Sequence, residues 1–505
     1  MLLWRCSPLH YEKDCCLLCR RFFCPVFRHR FPVYDLSHCL ELLRSLSNIS
    51  QTNLAENHIS DALNYFFRTF LVANILKRVG ASQTKHISAL NIFRKLFELI
   101  FARKNFYMAS ILDKDKLGMS KSTVSRFLTS SNINWLRFLI LLSKNVISFI
   151  EGLTSEKRIK VLIVDDTAFM RNSSRKVELL SKCFEHSKKI FYNGFRLLTL
   201  AWSDGCSLIP VAGVLLASNK AKNLKCPARD VDKRSCGYKA RQLAQTSAPK
   251  AILVMLRTAL RNGIKASHIL FDSWFAFPSF ILKIREIGLH VVAMVKKMDT
   301  VHYLYHDRKV TLAQIYRANR KRRGRSRYLL SVEVTLFDPT PTVTQTCPAR
   351  LVFVRNRNNK KEYLVLLSTD MELSEEDIIR LYARRWAIEV FFKTCKSYLS
   401  LGKECQSTNY DAMNAYVAVV FARAMFLSVL NRMEQDDRTV GGMFYALCDE
   451  MSELSFLKAL QQLFELFMNT VCTELEISEE TGQRLLNEFF EHLPTYIQRT
   501  LKSCA

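Results

Sequence analysis

The chain has 505 residues, of which 74 are lysine or arginine and 46 are aspartate or glutamate, so that its formal net charge is +28. This length predicts roughly two to four domains, and the excess of positive charge predicts a polyanionic partner, with nucleic acid as the default. The 16 cysteines are dispersed along the chain, which excludes the dense disulfide framework of a small secreted domain. Lysine or arginine interrupts the longest apolar runs, Phe138–Ile150 and Ala415–Leu430, so we expect core helices, no membrane span and a cytoplasmic protein.

The first part of the chain is rich in cysteine and arginine. Its clustered cysteines are Cys15, Cys16, Cys19 and Cys24. Cys16 and Cys19 have the spacing of half a zinc site, but no second pair follows at ligand spacing. We therefore predict that residues 1–35 form a poorly ordered leader.

Residues 36–155 have apolar positions three and four apart, which predicts a helical domain. Within it, Leu117–Leu128 has the outline of a helix-turn-helix, in which Gly118 suits the turn and Ser120 suits an N-cap. Val124 and Phe127 would pack inward. The polar residues expected to face a DNA groove are Lys121, Ser122, Ser125 and Arg126.

After Lys160 the pattern changes to that of a mixed α/β sheet. Val161–Val164 is a continuous apolar run, typical of a buried strand, and ends in Asp165 and Asp166. Two strand-like stretches joined by Asp204-Gly205 follow, then a helix, and then a short apolar run that ends in Asp272. Residues 156–289 thus place carboxylates at the ends of two buried strands.

Carboxylates at the ends of neighbouring strands could hold metal ions. Mg²⁺ prefers oxygen ligands, and two such ions about 3.5–4 Å apart can assist both the attacking and the leaving oxygen of a phosphoryl displacement. Side chains alternate along a strand, so only one of Asp165 and Asp166 can face such a site.

Residues 290–372 contain several strand-like segments, and a helix is expected to begin after Ser374. On that helix one narrow charged stripe is formed by Tyr382, Arg385, Glu389 and Lys396. Its other positions, including Trp386 and Val390, are mostly apolar. This predicts a largely buried helix whose charged stripe lines an interface or a cavity.

Two basic stretches, Lys220–Arg241 and Arg317–Arg327, lie close in sequence to the candidate carboxylates. In the second, Arg320, Arg322 and Arg323 are candidate contacts to DNA phosphates. Such contacts set affinity and salt dependence rather than sequence choice.

The spacing Tyr382-x2-Arg385-x3-Glu389-x6-Lys396 resembles the Y-R-E-K signature of bacterial insertion-sequence transposases of the DDE class. Val164-Asp-Asp-Thr167 and Phe271-Asp-Ser-Trp-Phe275 resemble the two other acidic motifs of that family. The resemblance extends over about residues 36–430.

The resemblance implies a ribonuclease H-like mixed sheet with a β-rich insertion. The implied parts are a helical DNA-binding domain (36–155), the first part of the core (156–289), the insertion (290–372), a core helix carrying Glu389 (373–400) and a C-terminal helical region suited to dimerisation (401–505). The implied ligands of two Mg²⁺ or Mn²⁺ ions are Asp166, Asp272 and Glu389. Asp166 is preferred to Asp165 because it directly precedes the threonine. Tyr382, Arg385 and Lys396 would hold phosphates. Trp274 is a candidate to stack an extruded base, with a core aromatic as the alternative that stays open.

The implied activity is cut-and-paste transposition: metal-dependent cleavage at terminal inverted repeats and strand transfer into target double-stranded DNA. A homodimer in a synaptic complex, in the nucleoid of a bacterial cytoplasm, is expected to carry it out. Two alternatives stay open. One is another ribonuclease H-like nuclease or resolvase, and the other is a catalytically inactive DNA-binding protein derived from a transposase.

Overall fold

The computed structural model describes residues 58–81, 87–112, 117–153, 158–185, 188–323, 326–338, 345–356 and 362–433, with isolated positions between 481 and 492. The chain divides into two compact units, one made of Met1–Leu63 and Leu447–Ala505 and the other of Asn64–Ala446. The leader predicted at residues 1–35 lies outside the described residues. So does nearly all of the predicted C-terminal region beyond residue 433.

The part of the second unit before the sheet is helical, as predicted. Its described helices are α1 (His58–Thr69), which starts in the first unit, α2 (Val72–Arg78), α3 (Ala89–Glu98), α4 (Phe106–Leu112), α5 (Lys121–Leu128) and α6 (Trp135–Gly152). Ser88 and Ser120 cap α3 and α5 by accepting a backbone N–H three residues on. Phe93 lies against Trp135 and Phe138 with ring centroids 6.3 and 5.0 Å away, so aromatic packing joins α3 to α6.

Eleven strands of the described residues form one mixed sheet. They are β1 (Val161–Met170), β2 (Ser181–Glu185), β3 (Ile190–Ser203), β4 (Leu208–Leu216), β5 (His268–Phe271), β6 (His290–Val295), β7 (Tyr303–Tyr305), β8 (Arg308–Val310), β9 (Tyr328–Phe337), β10 (Thr346–Arg355) and β11 (Tyr363–Ser368). Their order is β2-β3-β1-β5-β6-β11-β10-β9-β7-β8, and β4 also pairs with β3.

The strands β4-β3-β1-β5-β6 have the order and direction of a ribonuclease H-like core. β1 is antiparallel to β3, and β3 is antiparallel to β4. β1, β5 and β6 run parallel to one another. The predicted ribonuclease H-like mixed sheet is confirmed.

The strand-rich stretch between residues 290 and 372 continues this sheet. β6, which lies in the range predicted for the insertion, pairs in parallel with β5 and is the last parallel strand of the core. β11 then pairs antiparallel to β6, and β10 and β9 follow outward. The core strands and the inserted strands therefore belong to one continuous sheet.

Helices cover the sheet. They are α7 (Cys236–Ala244), α8 (Ala248–Arg261), α9 (Pro278–Glu286), α10 (Leu312–Ala318), α11 (Glu375–Ala383), α12 (Trp386–Ser397) and α13 (Tyr410–Met433). Among the helices of the described ranges, α13 is the one that is long and apolar enough to cross a membrane, but 89% of its most apolar window is buried in the fold. Its buried Arg423 pairs with Glu404 at 2.6 Å. α13 is thus the core helix that the sequence predicts.

Candidate active site on β1 and at the end of β5

Two aspartates from neighbouring parallel strands lie side by side. Ile163 of β1 is opposite Leu270 of β5, and the same register, continued by two residues, puts Asp165 opposite Asp272. Residues opposite each other in parallel strands point to the same face of the sheet. The two carboxylates therefore face the same region, just where β5 has ended.

Arg385, in the short break between α11 and α12, joins this pair to a third carboxylate. Its Nη1 donates a hydrogen bond to Asp165 Oδ2 at 2.9 Å. Its Nη2 donates to Glu389 Oε1, one helical turn further on. Burial raises the pKa of Asp272, and the nearby Arg385 opposes that rise. One guanidinium thus bonds two acidic side chains and acts electrostatically on the third.

The electrostatics of Asp165 show how crowded this cluster is. Burial raises the pKa of Asp165 to about 7; Arg385 opposes the rise, and the negative charges of Asp272 and Asp166 add to it. Buried like charges of this kind need a cation beside them if all are to stay ionised. In the structure Arg385 meets that need for Asp165 and Glu389.

The oxygen donors of the cluster are the type that Mg²⁺ and Mn²⁺ prefer. Within the described ranges, no three histidine, cysteine, aspartate or glutamate side chains are arranged so that they could hold a metal ion. Here the guanidinium of Arg385 lies between two of the carboxylates. The chemistry of the donors therefore fits a divalent ion, and a bound ion would compete with Arg385 for the same oxygens.

Asp166 points to the other face of β1. Arg196 of β3 donates to Asp166 Oδ2 from Nε at 2.8 Å and to Asp166 Oδ1 from Nη2 at 2.5 Å. The structure therefore favours the alternative, Asp165, over Asp166 as the carboxylate beside Asp272 and Glu389, because it is Asp165 that faces Arg385. Alternation along the strand allows only one of the two to face this site, and adjacency to Thr167 had favoured the other one.

The other residues of the charged stripe follow the same face of β1. Lys396 Nζ donates to Thr167 Oγ1 at 2.6 Å, and Thr167 lies two residues beyond Asp165 on one face of the strand. The ring of Tyr382 lies 6.0 Å from the guanidinium carbon of Arg385, and burial raises the pKa of Tyr382 to about 12. The stripe therefore reaches β1 through Arg385 and Lys396, while Tyr382 and Glu389 contact Arg385.

The helix that carries the stripe differs from the prediction in two ways. It is two helices, because α11 ends at Ala383 and α12 begins at Trp386. The side chain of Arg384 donates to the carbonyl of Ile159 at 2.7 Å, which fixes the chain at the break. Trp386 is 61% exposed and Val390 50% exposed, so the expectation of a largely buried helix is wrong for this face.

Trp274 lies next to Asp272 on the surface. Its backbone N–H donates to Asp272 Oδ1 at 2.9 Å, and its side chain is 48% exposed. Lys296 Nζ sits 5.2 Å from the centre of the indole ring. An aromatic face therefore stands beside the carboxylates rather than in the core.

The remaining predicted DNA contacts lie on other elements. Lys121 and Arg126 are exposed on α5, whereas Val124 and Phe127 on the same helix are buried, as the pattern predicted. Arg320, Arg322 and Arg323 lie in the connection from α10 to β9, and all three are exposed. The structure does not bring these two groups into the carboxylate cluster.

Arg196 was not singled out from the sequence, although it forms the tightest contact of Asp166. Its signal was that it is the one charged residue of the mostly apolar strand β3. A charge in such a strand needs a partner on the same face, and Asp166 supplies it.

Comparison with protein families gives one match. A family model described as DDE superfamily endonuclease matches residues 103–360, slightly more than half of the chain. That range contains Asp165 and Asp272 and ends before Glu389. No curated protein matches the chain.

Proposed function

Since the chain belongs to the DDE superfamily of endonucleases, we propose that it is a transposase that cuts transposon ends and joins them to target DNA. Enzymes of this superfamily generally use divalent metal ions to cleave DNA. The observation that carries the proposal is the grouping of Asp165, Asp272 and Glu389 around Arg385, with Lys396 bonded to Thr167 two residues further along β1. A small-molecule hydrolase would not need so basic a chain.

Asp165, Asp272 and Glu389 would hold two Mg²⁺ or Mn²⁺ ions, which when bound supply activation of the attacking oxygen and stabilisation of the leaving one. Glu389 is proposed as the third metal ligand because it is the acidic side chain of α12 that bonds the same guanidinium as Asp165. Its side chain is 37% exposed, which leaves it open to the substrate.

Arg385, Lys396 and Tyr382 would bind the phosphates around the scissile bond. Arg385 already bonds carboxylate oxygens through two separate nitrogens, and the same planar fork suits phosphate oxygens. Lys396 would contribute a single positive charge beside Thr167, two residues beyond Asp165 on β1. With a divalent ion on the carboxylates, Arg385 would be available to bond DNA phosphates instead.

The partners would be double-stranded DNA of terminal inverted repeats and of the target. Lys121 and Arg126 on α5 would contact the terminal repeat, and Arg320, Arg322 and Arg323 the DNA backbone. Trp274 would stack a base extruded next to the scissile phosphate. We further propose a homodimer in a synaptic complex, working in a bacterial cytoplasm.

The test incubates the purified protein with labelled DNA that ends in the terminal inverted repeat of its element, with Mg²⁺ or Mn²⁺. We expect nicking at the end of the repeat, followed by joining to a second DNA. Glu389→Gln should abolish both steps and keep DNA binding. Undiminished cutting by Glu389→Gln would show that Glu389 is not a metal ligand of the site.

The family description itself supports a second candidate, a DDE nuclease that cleaves without transposing. Cleavage with no joined product would favour it. DNA binding without cleavage under any divalent metal would instead favour a catalytically inactive, transposase-derived DNA-binding protein.

A further inference from the structure

A cavity of about 340 Å³ lies within the second unit, and none of its described lining residues belongs to the carboxylate cluster. Its walls come from α6, β4, α7, α8 and the first part of α13. This volume is at the lower end of the roughly 300–1,000 Å³ found for small-molecule sites. It corresponds to about ten water molecules, far more than the voids that close-packed interiors usually leave. The cavity is therefore large enough for one small organic molecule.

The walls of the cavity are mostly aliphatic. Leu139 of α6, Val214 of β4 and Val417 of α13 are buried residues that line it. Leu136 and Leu243 line it from partly exposed positions. An apolar ligand in such a recess is removed from water together with the apolar surface that it covers, which is favourable. The walls therefore favour a ligand with an apolar body.

Among the described residues, two charged ones line the cavity, Lys239 and Asp411. The negative charge of Asp411 is already neutralised, because its two oxygens accept hydrogen bonds from Arg241 at 3.0 and 2.8 Å. Glu178, the second carboxylate on Arg241, lies 3.9 Å from Arg229. Two acids and two arginines thus balance one another, and the charge of Lys239 is left over.

Lys239 is exposed, so it lies where the cavity opens to solvent, and it forms no ion pair with any described residue. A ligand group with one negative charge complements this single cation. A nucleotide suits the cavity less well, because its phosphate carries about two negative charges and its base needs several hydrogen-bond partners. A carboxylate on an apolar body fits both the walls and the charge.

We propose that this cavity binds a small organic acid, that is, an apolar body with a single carboxylate. The body would fill the space between Leu139, Val214 and Val417, and the carboxylate would pair with Lys239. The bound molecule would contact α6 of the helical region and β4 of the sheet at once. Because it would bind the folded chain and not the unfolded one, it would also raise the thermal stability of the protein. This site is separate from the proposed action on DNA.

The test is isothermal titration calorimetry of the full chain, without DNA or divalent metal, with two probes that share one ring system. Indole-3-acetate has an apolar body and a carboxylate, and 3-methylindole lacks the carboxylate. We expect the unaltered chain to bind indole-3-acetate more tightly than 3-methylindole. Lys239→Ala should weaken the binding of indole-3-acetate about 2- to 5-fold, the range for an exposed ion pair, and leave the binding of 3-methylindole unchanged.

Leu243→Trp tests the cavity itself. The larger side chain at this partly exposed lining position should occupy the space and weaken the binding of both probes about 10-fold or more. The matched controls are Leu364→Trp, at an exposed position of β11, and Lys250→Ala, at an exposed position of α8. Neither residue is among those that line the cavity, so both controls should bind the probes as the unaltered chain does. Thermal unfolding checks that each variant folds.

No binding of indole-3-acetate at millimolar concentration would overturn the proposal. Equal weakening of both probes by Lys239→Ala would contradict the pairing of the carboxylate with this lysine. Unchanged binding in Leu243→Trp would place the probes elsewhere on the basic surface and would also overturn the proposal. Because the assay contains neither DNA nor divalent metal, its result does not depend on cleavage. A chain that shows the expected binding but never cuts DNA would contradict the proposed function alone.

Discussion

Asp165 and Asp166 are chain neighbours with opposite surroundings. Asp165 bonds Arg385 on the face of β1 that meets α12, and Asp166 bonds Arg196 on the other face. Composition cannot distinguish the two, since both follow a buried apolar run. Only the pairing of β1 with β5 shows which carboxylate shares a face with Asp272.

Arg385 is the residue whose shape matters most in the cluster. Arg385→Lys keeps the positive charge but cannot bond Asp165 and Glu389 through two nitrogens of a planar fork. A hydrogen bond to a charged group contributes about 1.5–3 kcal/mol, so we expect the cleavage rate to fall about 10- to 100-fold. The rate is measured by single-turnover nicking of labelled repeat DNA. A rate equal to that of the unaltered protein would show that the fork is not used.

At the scale of elements, a buried ion pair ties α13 to the helical region. Arg423 bonds Glu404 and donates from Nε to the carbonyl of Phe97 at 3.0 Å, at the end of α3. Arg423 is fully buried and Glu404 nearly so. The pair therefore sets the position of α13 beneath the sheet.

Arg423→Met should lower the free energy of unfolding by about 3–5 kcal/mol, because it leaves the Glu404 carboxylate buried without a cation. Urea unfolding measures this loss. The matched control is Arg380→Met, which removes the exposed ion pair with Asp377 on α11. It should cost less than about 1 kcal/mol. Equal effects of the two substitutions would show that burial of Arg423 is not decisive.

His268 on β5 makes the stability of the fold depend on pH. Burial lowers the pKa of His268 below its usual 6.5, although Asp370, 3.0 Å from Nε2, opposes the change. The folded state then binds the proton less readily than the unfolded chain does. The stability contribution is complete above about pH 6.5 and is lost as pH falls through the folded pKa.

His268→Asn should remove that part of the acid sensitivity. We expect the difference in unfolding free energy between His268→Asn and the unaltered protein to vary with pH below about 6.5 and to stay constant above it. Urea titrations at several pH values measure it. A difference that does not change with pH would contradict the assigned shift.

The elements show how far sequence patterns reach. The buried strands before Asp165 and Asp272, the hairpin at Asp204-Gly205 and the cap at Ser120 were predictable, because each depends on local apolar periodicity or turn chemistry. The break at Arg384 was not, because a bond to Ile159, distant in sequence, fixes it. The spacing of apolar residues correctly predicted that Glu389 lies on a helix. It overstated how much of that helix is buried, because Trp386 and Val390 are exposed.

At the scale of the whole molecule, the net charge is +28, and exposed basic residues lie on different elements of the described fold. The helical region presents Lys121 and Arg126, and the connection from α10 to β9 presents Arg322 and Arg323. Placement on different elements is what we expect for a long polyanionic substrate. Binding of duplex DNA should therefore weaken steeply with salt.

Each phosphate contact contributes about 0.9 to the slope of log affinity against log salt for duplex DNA. Arg322→Ala and Arg323→Ala should each reduce that slope by about this amount. Anisotropy titrations at several salt concentrations measure the slopes. Slopes unchanged in both variants would place the phosphate contacts elsewhere on the molecule.

The most direct test of the carboxylate cluster compares Asp165→Asn with Asp166→Asn in Mg²⁺-dependent nicking of terminal-repeat DNA. A metal ion supplies several kcal/mol to such a reaction, so Asp165→Asn should slow nicking about 100-fold or more. Asp166→Asn keeps an oxygen for Arg196 and should slow it less than about 10-fold. DNA binding should persist in both variants. The reverse order, with nicking lost in Asp166→Asn and kept in Asp165→Asn, would contradict the site formed by Asp165, Asp272 and Glu389.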